Sequence, residues 1–129
     1  MMSFANMHEG LCEAENREDR IKQICAGGNH SMILTKSGTL YSFGYASSGQ
    51  LGTGAIKNSN TPQPTKSFLP PQSPPFHDIE EKIISVALGQ NHSIALSNLG
   101  FVYCCGSGKF GQLGLGDFEN TPNFTQVMH

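Results

Sequence analysis

The stretch that decides the fold is GGNHSMILTKSGTLYSFGYASSGQLGTG, residues 27–54. A second version of it, GQNHSIALSNLGFVYCCGSGKFGQLGLG, occupies residues 89–116, so Gly27 aligns with Gly89 and Gly54 with Gly116. The same alignment extends back to Ile21 and Ile83, and fourteen positions of the longer window are identical in the two copies. Self-similarity at a fixed spacing of this size is typical of repeat proteins, in which each copy is one supersecondary unit. The sequence therefore predicts two copies of one structural unit.

Six of the fourteen identical positions are glycines, and one histidine and one glutamine are also identical in the two copies. Glycine adopts the positive φ angles of tight turns without a steric penalty, so we predict that these positions hold the turns and corners of the unit. The structural repeat positions are Gly27, His30, Gly38, Gly44, Gly49, Gln50 and Gly52 in the first copy and Gly89, His92, Gly100, Gly106, Gly111, Gln112 and Gly114 in the second. The match resumes at Thr61-Pro62 and Thr121-Pro122, which predicts a two-residue difference in length between the copies.

Each copy predicts short antiparallel strands. Residues 31–35 and 39–43 are rich in Ile, Leu, Tyr and Phe, and Gly38 between them supplies the positive φ of a hairpin turn. A preceding strand is predicted over residues 21–26. The second copy repeats the pattern over residues 83–88, 93–97 and 101–105. Because apolar residues fall on both faces of these strands, each sheet needs cover on both sides, and the predicted fold is all-β, with two blade-like repeats of an unclosed propeller.

Composition excludes several classes of protein. Charged residues are only 14% of the 129 residues, and 15 glycines with 7 prolines favour turns, which argues against a helical bundle. The net charge of −2 gives no basis for direct binding to nucleic acid or anionic lipid. We find no signal peptide or membrane-spanning apolar run, and the four cysteines lack the spacing of a disulfide framework. A cytoplasmic or nuclear protein is therefore expected.

Three motifs recur in the same order in both copies. They are Gly28-Asn-His-Ser31, Gly38-x-x-Tyr-Ser-Phe-Gly44 and Gly49-Gln-Leu-Gly-x-Gly54, matched by Asn91-His-Ser93, Tyr103-x-x-Gly106 and Gly111-Gln-Leu-Gly-Leu-Gly116. Together they resemble the repeats of the regulator of chromosome condensation family. The resemblance covers about residues 21–127, and it is specific because several motifs keep their order twice.

The resemblance implies a seven-bladed β-propeller that serves as a scaffold or recognition surface. Members include an exchange factor for the small GTPase Ran that docks on chromatin, ciliary GTPase regulators, modules of ubiquitin ligases and a plant ultraviolet-B photoreceptor. Because this chain has no Trp, with Phe43 and Cys105 where the family often has one, tryptophan-based light sensing is excluded. Even a four-bladed ring takes roughly 250 residues, so we expect a longer polypeptide or partner chains to complete it.

Two equivalent histidines, His30 and His92, follow glycine-rich turns and precede strands. Paired metal ligands or catalytic bases are one interpretation. A residue repeated in each blade is more simply a hydrogen-bonding group that fixes a turn, and no carboxylate lies near either histidine in the sequence. We favour the structural interpretation and predict no catalytic, metal-binding or cofactor-binding residues.

Two further patterns carry a functional and a structural interpretation. Cys104 and Cys105 suggest a soft metal or an oxidation sensor, but neighbours on a strand point to opposite faces and cannot easily chelate one ion. The segments Gly49–Gly54 and Gly111–Gly116 superficially resemble phosphate-binding loops. Neither has the Lys-Ser/Thr ending of such a loop, and their recurrence indicates a tight corner between strands.

The sequence divides into an acidic lead-in over residues 1–20, unit 1 over 21–62, a proline-rich inter-unit loop over 63–80 and unit 2 over 81–129. Six of the seven prolines lie between residues 62 and 75, which predicts an extended segment rather than a blade strand. Its simplest interpretation is a solvated loop. The functional alternative is contact with a partner protein through Pro70, Pro71, Pro74, Pro75 and Asp78.

Two classes of function remain. The first, which we favour, is a non-catalytic protein-interaction module whose partner is another protein, with a small GTPase or a chromatin component as examples. The second is a guanine nucleotide exchange factor for a Ran-like GTPase, which needs loops from more blades than two. Self-association is a further expectation, because missing neighbours would expose Ile33, Leu34, Ile94 and Leu96. A hydrolase or metalloenzyme is disfavoured because no catalytic constellation is found.

Overall fold

The computed structural model describes residues 20–65, 80–116 and 119–127, which form two four-stranded antiparallel sheets. The first sheet, blade 1, contains β1 (Ile21–Ala26), β2 (His30–Thr35), β3 (Leu40–Gly44) and β4 (Ser59–Pro64). The second sheet, blade 2, contains β5 (Ile83–Leu88), β6 (His92–Ser97), β7 (Val102–Gly106) and β8 (Thr121–Gln126). In each sheet the strands pair in chain order. The predicted all-β fold with two blade-like repeats is therefore confirmed, and the two sheets do not close a ring.

Glycine forms the tight turns, as the repeat pattern predicts. Gly38 has a φ of 91° and Gly100 a φ of 87°, and each closes the hairpin between the second and third strands of its blade. Within the described ranges every residue with positive φ is a glycine. These glycines form five pairs at equivalent positions of the two copies: Gly38 and Gly100, Gly44 and Gly106, Gly49 and Gly111, Gly52 and Gly114, Gly54 and Gly116.

The fourth strand of blade 1 was not predicted. Residues from Pro62 onward were expected to form a loop, and this is wrong for Pro62 to Pro64, which belong to β4. Gln63 lies opposite Ser42, and Pro64 lies opposite Tyr41 on β3. Proline is tolerated there because β4 is an edge strand, where a missing N–H costs no ladder hydrogen bond on the outer side. Unit 1 therefore extends past residue 62 to the end of β4.

The register of the fourth strands corrects the expected difference in length. Gly44 lies opposite Ser59 in blade 1, and Gly106 lies opposite Thr121 in blade 2. Since Gly44 and Gly106 are equivalent, Thr121 corresponds to Ser59, at the same spacing as every other pair. The expected two-residue difference is therefore wrong. The Thr-Pro pairs misled the alignment because an edge strand accepts proline at more than one position.

The core lies between the two blades. It contains Met32, Leu34 and Leu40 from blade 1 and Ile83, Val86, Ala95, Tyr103, Cys105 and Phe124 from blade 2. On the outer face of blade 1, Ile33 is fully buried beneath partly exposed side chains of its own sheet. The expected exposure of Ile33 and Leu34 is therefore wrong, because blade 2 covers Leu34. Leu96 is 37% exposed and Ile94 is partly exposed, as expected.

The part of the chain that the structure describes holds no helix with the length and apolar character to cross a membrane.

Candidate functional site

The site that the repeated residues build is the joint between the blades. His30 at the start of β2 places its Nε2 atom 2.8 Å from Oγ of Ser93 on β6, and Ser93 donates to the backbone carbonyl of Gln50 at 2.8 Å. All three residues are buried. A hydroxyl has one hydrogen, and the carbonyl can only accept it, so Nε2 of His30 must be the donor to Ser93. This chain of bonds links both blades and fixes the tautomer of His30.

The imidazole of His30 is held in its neutral form. Burial lowers its pKa from 6.5 to about 4, with a smaller contribution from the nearby imidazole of His92. Nδ1 of His30 is buried and makes no hydrogen bond within the described residues. The ring packs over Gly27, where an added Cβ would lie 2.7 Å from the His30 Cε1 atom. A ring enclosed in this way is a packing and hydrogen-bonding group with no access to a substrate.

Lowering the pH should therefore reduce the free energy of unfolding, because His30 must become protonated. The unfolded chain binds a proton near pH 6.5, whereas the folded chain does so only near pH 4. Stability from this group is full above pH 6.5 and falls as the pH decreases toward 4, by about 3 kcal/mol. Urea unfolding at pH 7.5, 5.5 and 4.5 measures the loss. In His30→Gln, which has no titrating ring, the pH slope should be much smaller; an equal slope in both proteins would contradict the assignment.

A second set of contacts joins β1 to β5. The side-chain amide of Gln23 pairs with the backbone of Val86, donating from Nε2 to the carbonyl at 3.0 Å and accepting from the N–H at 3.2 Å. The Cys25 thiol donates to the same carbonyl at 3.1 Å, and burial raises its pKa. These bonds satisfy backbone groups at the inner edge of blade 2, which would otherwise need water.

The glycine-rich corner of blade 1 packs against the last strand of blade 2. An added Cβ on Gly49 would lie 2.5 Å from Cα of Pro122, and one on Gly52 would overlap the ring of Phe124. The N–H of Gly54 donates to the carbonyl of Pro122 at 3.0 Å. The segment Gly49–Gly54 is thus a close-packed corner, which agrees with the interpretation favoured from the sequence over a phosphate-binding loop.

The equivalent positions of blade 2 lie in different surroundings. His92 is partly exposed, and no hydrogen bond of its ring occurs in the described ranges. Within the described residues, a Cβ added to Gly100 or Gly116 would meet no atom within 4 Å. Identical residues therefore lie in a filled joint in blade 1 and on a face of blade 2 that no described residue covers.

The two adjacent cysteines are buried and point to opposite faces. The Cys104 thiol donates to the carbonyl of Leu113 at 2.9 Å, within its own blade. The Cys105 thiol faces the carbonyl of Gln50 across the joint at 3.6 Å. Burial raises the pKa of Cys104 to about 11 and raises that of Cys105 as well, so both are thiols at neutral pH. Neither the reactivity nor the geometry favours a shared metal or a redox sensor.

Among residues 20–65, 80–116 and 119–127, no group of three His, Cys, Asp or Glu side chains could hold a metal ion. The predicted partner contacts Pro70, Pro71, Pro74, Pro75 and Asp78 lie outside the described residues. So does most of the acidic lead-in.

Sequence reasoning missed an apolar surface on the loops between the third and fourth strands. Tyr45 is 50% exposed, Ile56 68% and Phe110 86%. Because β3 and β7 run in the same direction within their blades, these loops emerge at the same end of the blade pair, which we call the loop end. Lys57 follows Ile56 and Lys109 precedes Phe110, and both lysines are exposed. The repeat pattern gave no signal here because the three apolar residues are not repeated.

Two family models for the regulator of chromosome condensation (RCC1) repeat match the sequence. One covers residues 37–96 and 100–129, and the other covers residues 21–50 and 83–112. The chain belongs to the RCC1 repeat family. The unit over residues 37–96 runs from β3 of blade 1 to β6 of blade 2, so a family repeat spans the joint rather than one blade.

Curated RCC1 relatives match most of this chain but contain much more. An X-linked retinitis pigmentosa GTPase regulator homolog of Caenorhabditis elegans is 33% identical over 88% of this chain and 7% of its own length. Human Protein RCC2 is 34% identical over 85% of the chain and 20% of its own length. The ultraviolet-B receptor UVR8 of Arabidopsis thaliana is 38% identical over 78% of this chain and 21% of its own length. The chain thus spans less than a quarter of these relatives.

Solved structures confirm the predicted fold type. Human WBSCR16 has a TM-score of 0.68 and 32% identity, and the match covers 83% of this chain and 25% of that one. Prp20p of Saccharomyces cerevisiae has a TM-score of 0.66 and 30% identity, and the match covers 90% of this chain and 27% of Prp20p. The chain is therefore a pair of RCC1-type propeller blades, a protein-interaction module, as the recurring motifs predict.

Proposed function

We propose that this chain acts without catalysis, by presenting its loop end to a partner protein in the cytoplasm or nucleus. The observation that carries the proposal is that three large apolar side chains on these loops are exposed, Tyr45, Ile56 and Phe110. Large apolar side chains in water are unfavourable, and aromatic anchors provide much of the binding energy at protein interfaces. Lys57 and Lys109 beside them favour a partner that has carboxylates around an apolar patch.

The joint supports this function because it holds the loops of both blades in one arrangement. The bonds from His30 to Ser93 and from Gln23 to Val86 cross it, and apolar residues fill the rest. A surface that is ordered before binding loses less conformational entropy when the partner docks. The repeat positions are therefore proposed to support the site rather than to touch the partner.

A small GTPase is the first partner to test. Relatives of this chain include a human RCC1-like G exchanging factor-like protein, and the Prp20p structure is described with binding to Gsp1p and histones. Nucleotide exchange is the second candidate function, favoured by those names. We rank it lower because an exchange factor must stabilise a nucleotide-free state of its partner, which needs contacts over a wide surface, and this chain spans 27% of Prp20p.

Binding and exchange are separated by one pair of measurements on a Ran-like GTPase. Biolayer interferometry should show binding, and release of a fluorescent guanine nucleotide should not accelerate at micromolar chain. Phe110→Ser should weaken binding about tenfold, because it removes the most exposed aromatic side chain of the loop end. Ile84→Ser is the matched control: Ile84 is 38% exposed on β5, away from these loops, and its loss should leave affinity within about twofold.

Other outcomes decide between the alternatives. Saturable acceleration of release would promote the exchange-factor function. Binding to core histones but not to the GTPase would replace the partner and keep the loop end. Equal losses in Phe110→Ser and Ile84→Ser would contradict the loop end as the site. A variant without residues 66–75 tests the proline-rich segment as a proposed second contact in the same assay.

A further inference from the structure

Each outer face of the blade pair corresponds to one side of the joint. The outer face of blade 2 corresponds to the blade 1 side, and the outer face of blade 1 corresponds to the blade 2 side. In the joint, Leu34 of blade 1 and Val86 of blade 2 belong to one core cluster and are 1% and 5% exposed. Their counterparts in the other copy are Leu96, 37% exposed on the free face of blade 2, and Ile24, 60% exposed on the free face of blade 1. The blade pair therefore ends in two apolar faces of complementary type.

The polar groups of the joint are also present on the free faces. His92 and Gln112 on blade 2 correspond to His30 and Gln50, and Ser31 on blade 1 corresponds to Ser93. If blade 2 met the blade 1 of another molecule, His92 could donate to Ser31, and Ser31 to the Gln112 carbonyl. The chain of bonds seen in the joint would then be complete a second time.

The facing residues fit the contact between copies at one position and strain it at another. In the joint, an added Cβ on Gly28 would lie 2.6 Å from the Gln90 Cγ and 2.7 Å from the Gln90 carbonyl oxygen. Between copies Gln90 takes the place of Gly28 and meets the backbone of another Gly28, so that backbone must shift to admit the Cβ of Gln90. At the glycine corner the sizes are exchanged: Gly52 faces Cys105 and Phe124 in the joint, whereas the strand correspondence places Gly114 opposite the larger Phe43 and the smaller Pro62.

Blade 1 has a groove where blade 2 receives the glycine corner. Its volume is about 1020 Å³. Phe43, Gly44, Asn60 and Gln63 line it, and they lie on β3 and β4, as Cys105 and Pro122 lie on β7 and β8. The corresponding corner of blade 2 contains Gly114 and Gly116, and a Cβ on Gly116 would meet no described atom within 4 Å. Groove and corner thus repeat the geometry by which the blades already bind each other.

We propose that copies of this chain associate head to tail, with the free face of blade 2 in one copy packed against blade 1 of the next. This inference is argued from the blade faces and not from the GTPase, although Tyr45 and Lys57 of the loop end also line the blade 1 groove. The contact between copies is weaker than the joint, because Ser85 and Ala87 replace Gln23 and Cys25 and cannot make the same bonds to the facing strand. Such an interface is heterologous, so it builds rings or open chains rather than a closed two-fold dimer.

Two single substitutions test the geometry of this contact. Leu96→Glu blocks the blade 2 face, and Ile24→Glu blocks the blade 1 face. Sedimentation velocity from about 1 to about 200 µM should show wild-type oligomers larger than dimers and each variant as a monomer. An equimolar mixture of the two variants should form heterodimers and nothing larger, because one intact face remains on each. A variant that had merely unfolded could not be rescued by mixing.

Ile84→Glu is the control for loss of exposed apolar surface in general. Its counterpart Lys22 stays exposed although the joint is formed, so position 84 lies outside the contact and this variant should associate like the wild type. The proposal fails if the wild type is monomeric throughout, if the mixture stays monomeric, or if only one of the two face variants dissociates. The last result would indicate a two-fold contact through a single face.

Discussion

Replacement of His30 by alanine should lower the free energy of unfolding by about 3 kcal/mol. The ring is 3% exposed and fills the space between Gly27 and Ser93, so its loss leaves a cavity and removes the donor to the Ser93 hydroxyl. Chemical denaturation at pH 7.5, where the imidazole is neutral, measures the effect. The midpoint should fall while the dependence of stability on denaturant stays unchanged.

His92→Ala is the matched control because the same residue type occupies the same place in the repeat. Its ring is partly exposed and bonds to no described side chain, so we expect a loss below about 1 kcal/mol at low protein concentration. The same substitution should weaken head-to-tail association. Equal destabilisation by both alanines would show that the histidines act inside their own blades and not across the joint.

Much of the fold could be predicted from the sequence because glycine and apolar spacing are local signals. The first strand of each copy, over residues 21–26 and 83–88, has the predicted bounds, and both hairpins lie within one residue of theirs. Gly38 and Gly100 have the positive φ that a hairpin turn requires. The recurrence of such elements at one spacing was enough to predict stacked blades.

The fourth strand could not be predicted because its signals are weak. Ser59–Pro64 contains two prolines and no large apolar residue, and it is a strand only because β3 offers it an edge. Edge strands are held by one neighbour, so packing selects few of their side chains. The Thr-Pro pairs were therefore a poor guide to the register.

The unequal surroundings of identical residues also lay beyond the sequence. A repeat pattern gives His30 and His92, or Gly52 and Gly114, the same role. Which one is covered depends on which neighbour is present, and this is a property of the stack rather than of the copy. The exposed side chains of the loop end were missed for the opposite reason, since Ile56 and Phe110 are not repeated at all.

Gly52→Ala should destabilise the chain by about 3 kcal/mol, whereas Gly114→Ala should cost about 1 kcal/mol. The two glycines have nearly the same φ, 67° and 66°, so the strain of placing alanine there is equal, about 1 kcal/mol. Only Gly52 adds a clash: its new Cβ would overlap the Phe124 ring and lie 3.3 Å from Sγ of Cys105. Among the described residues, the new Cβ at Gly114 would meet Val127 alone, at 3.5 Å, an ordinary contact.

The difference between these two alanines measures the packing of the joint with backbone strain subtracted. Overpacking of a filled interior costs about 1–3 kcal/mol, because side chains must leave their preferred rotamers. Thermal melts at low concentration, where copies do not associate, should separate the two variants by several degrees for a domain of this size. Phe124→Leu in the Gly52→Ala background should recover part of the loss, since it removes Cε2, the Phe124 atom that lies nearest the new methyl group. If the two alanine variants have the same melting temperature, the corner of blade 1 does not pack on blade 2. The proposal of head-to-tail association, which repeats that packing between copies, would then be contradicted as well.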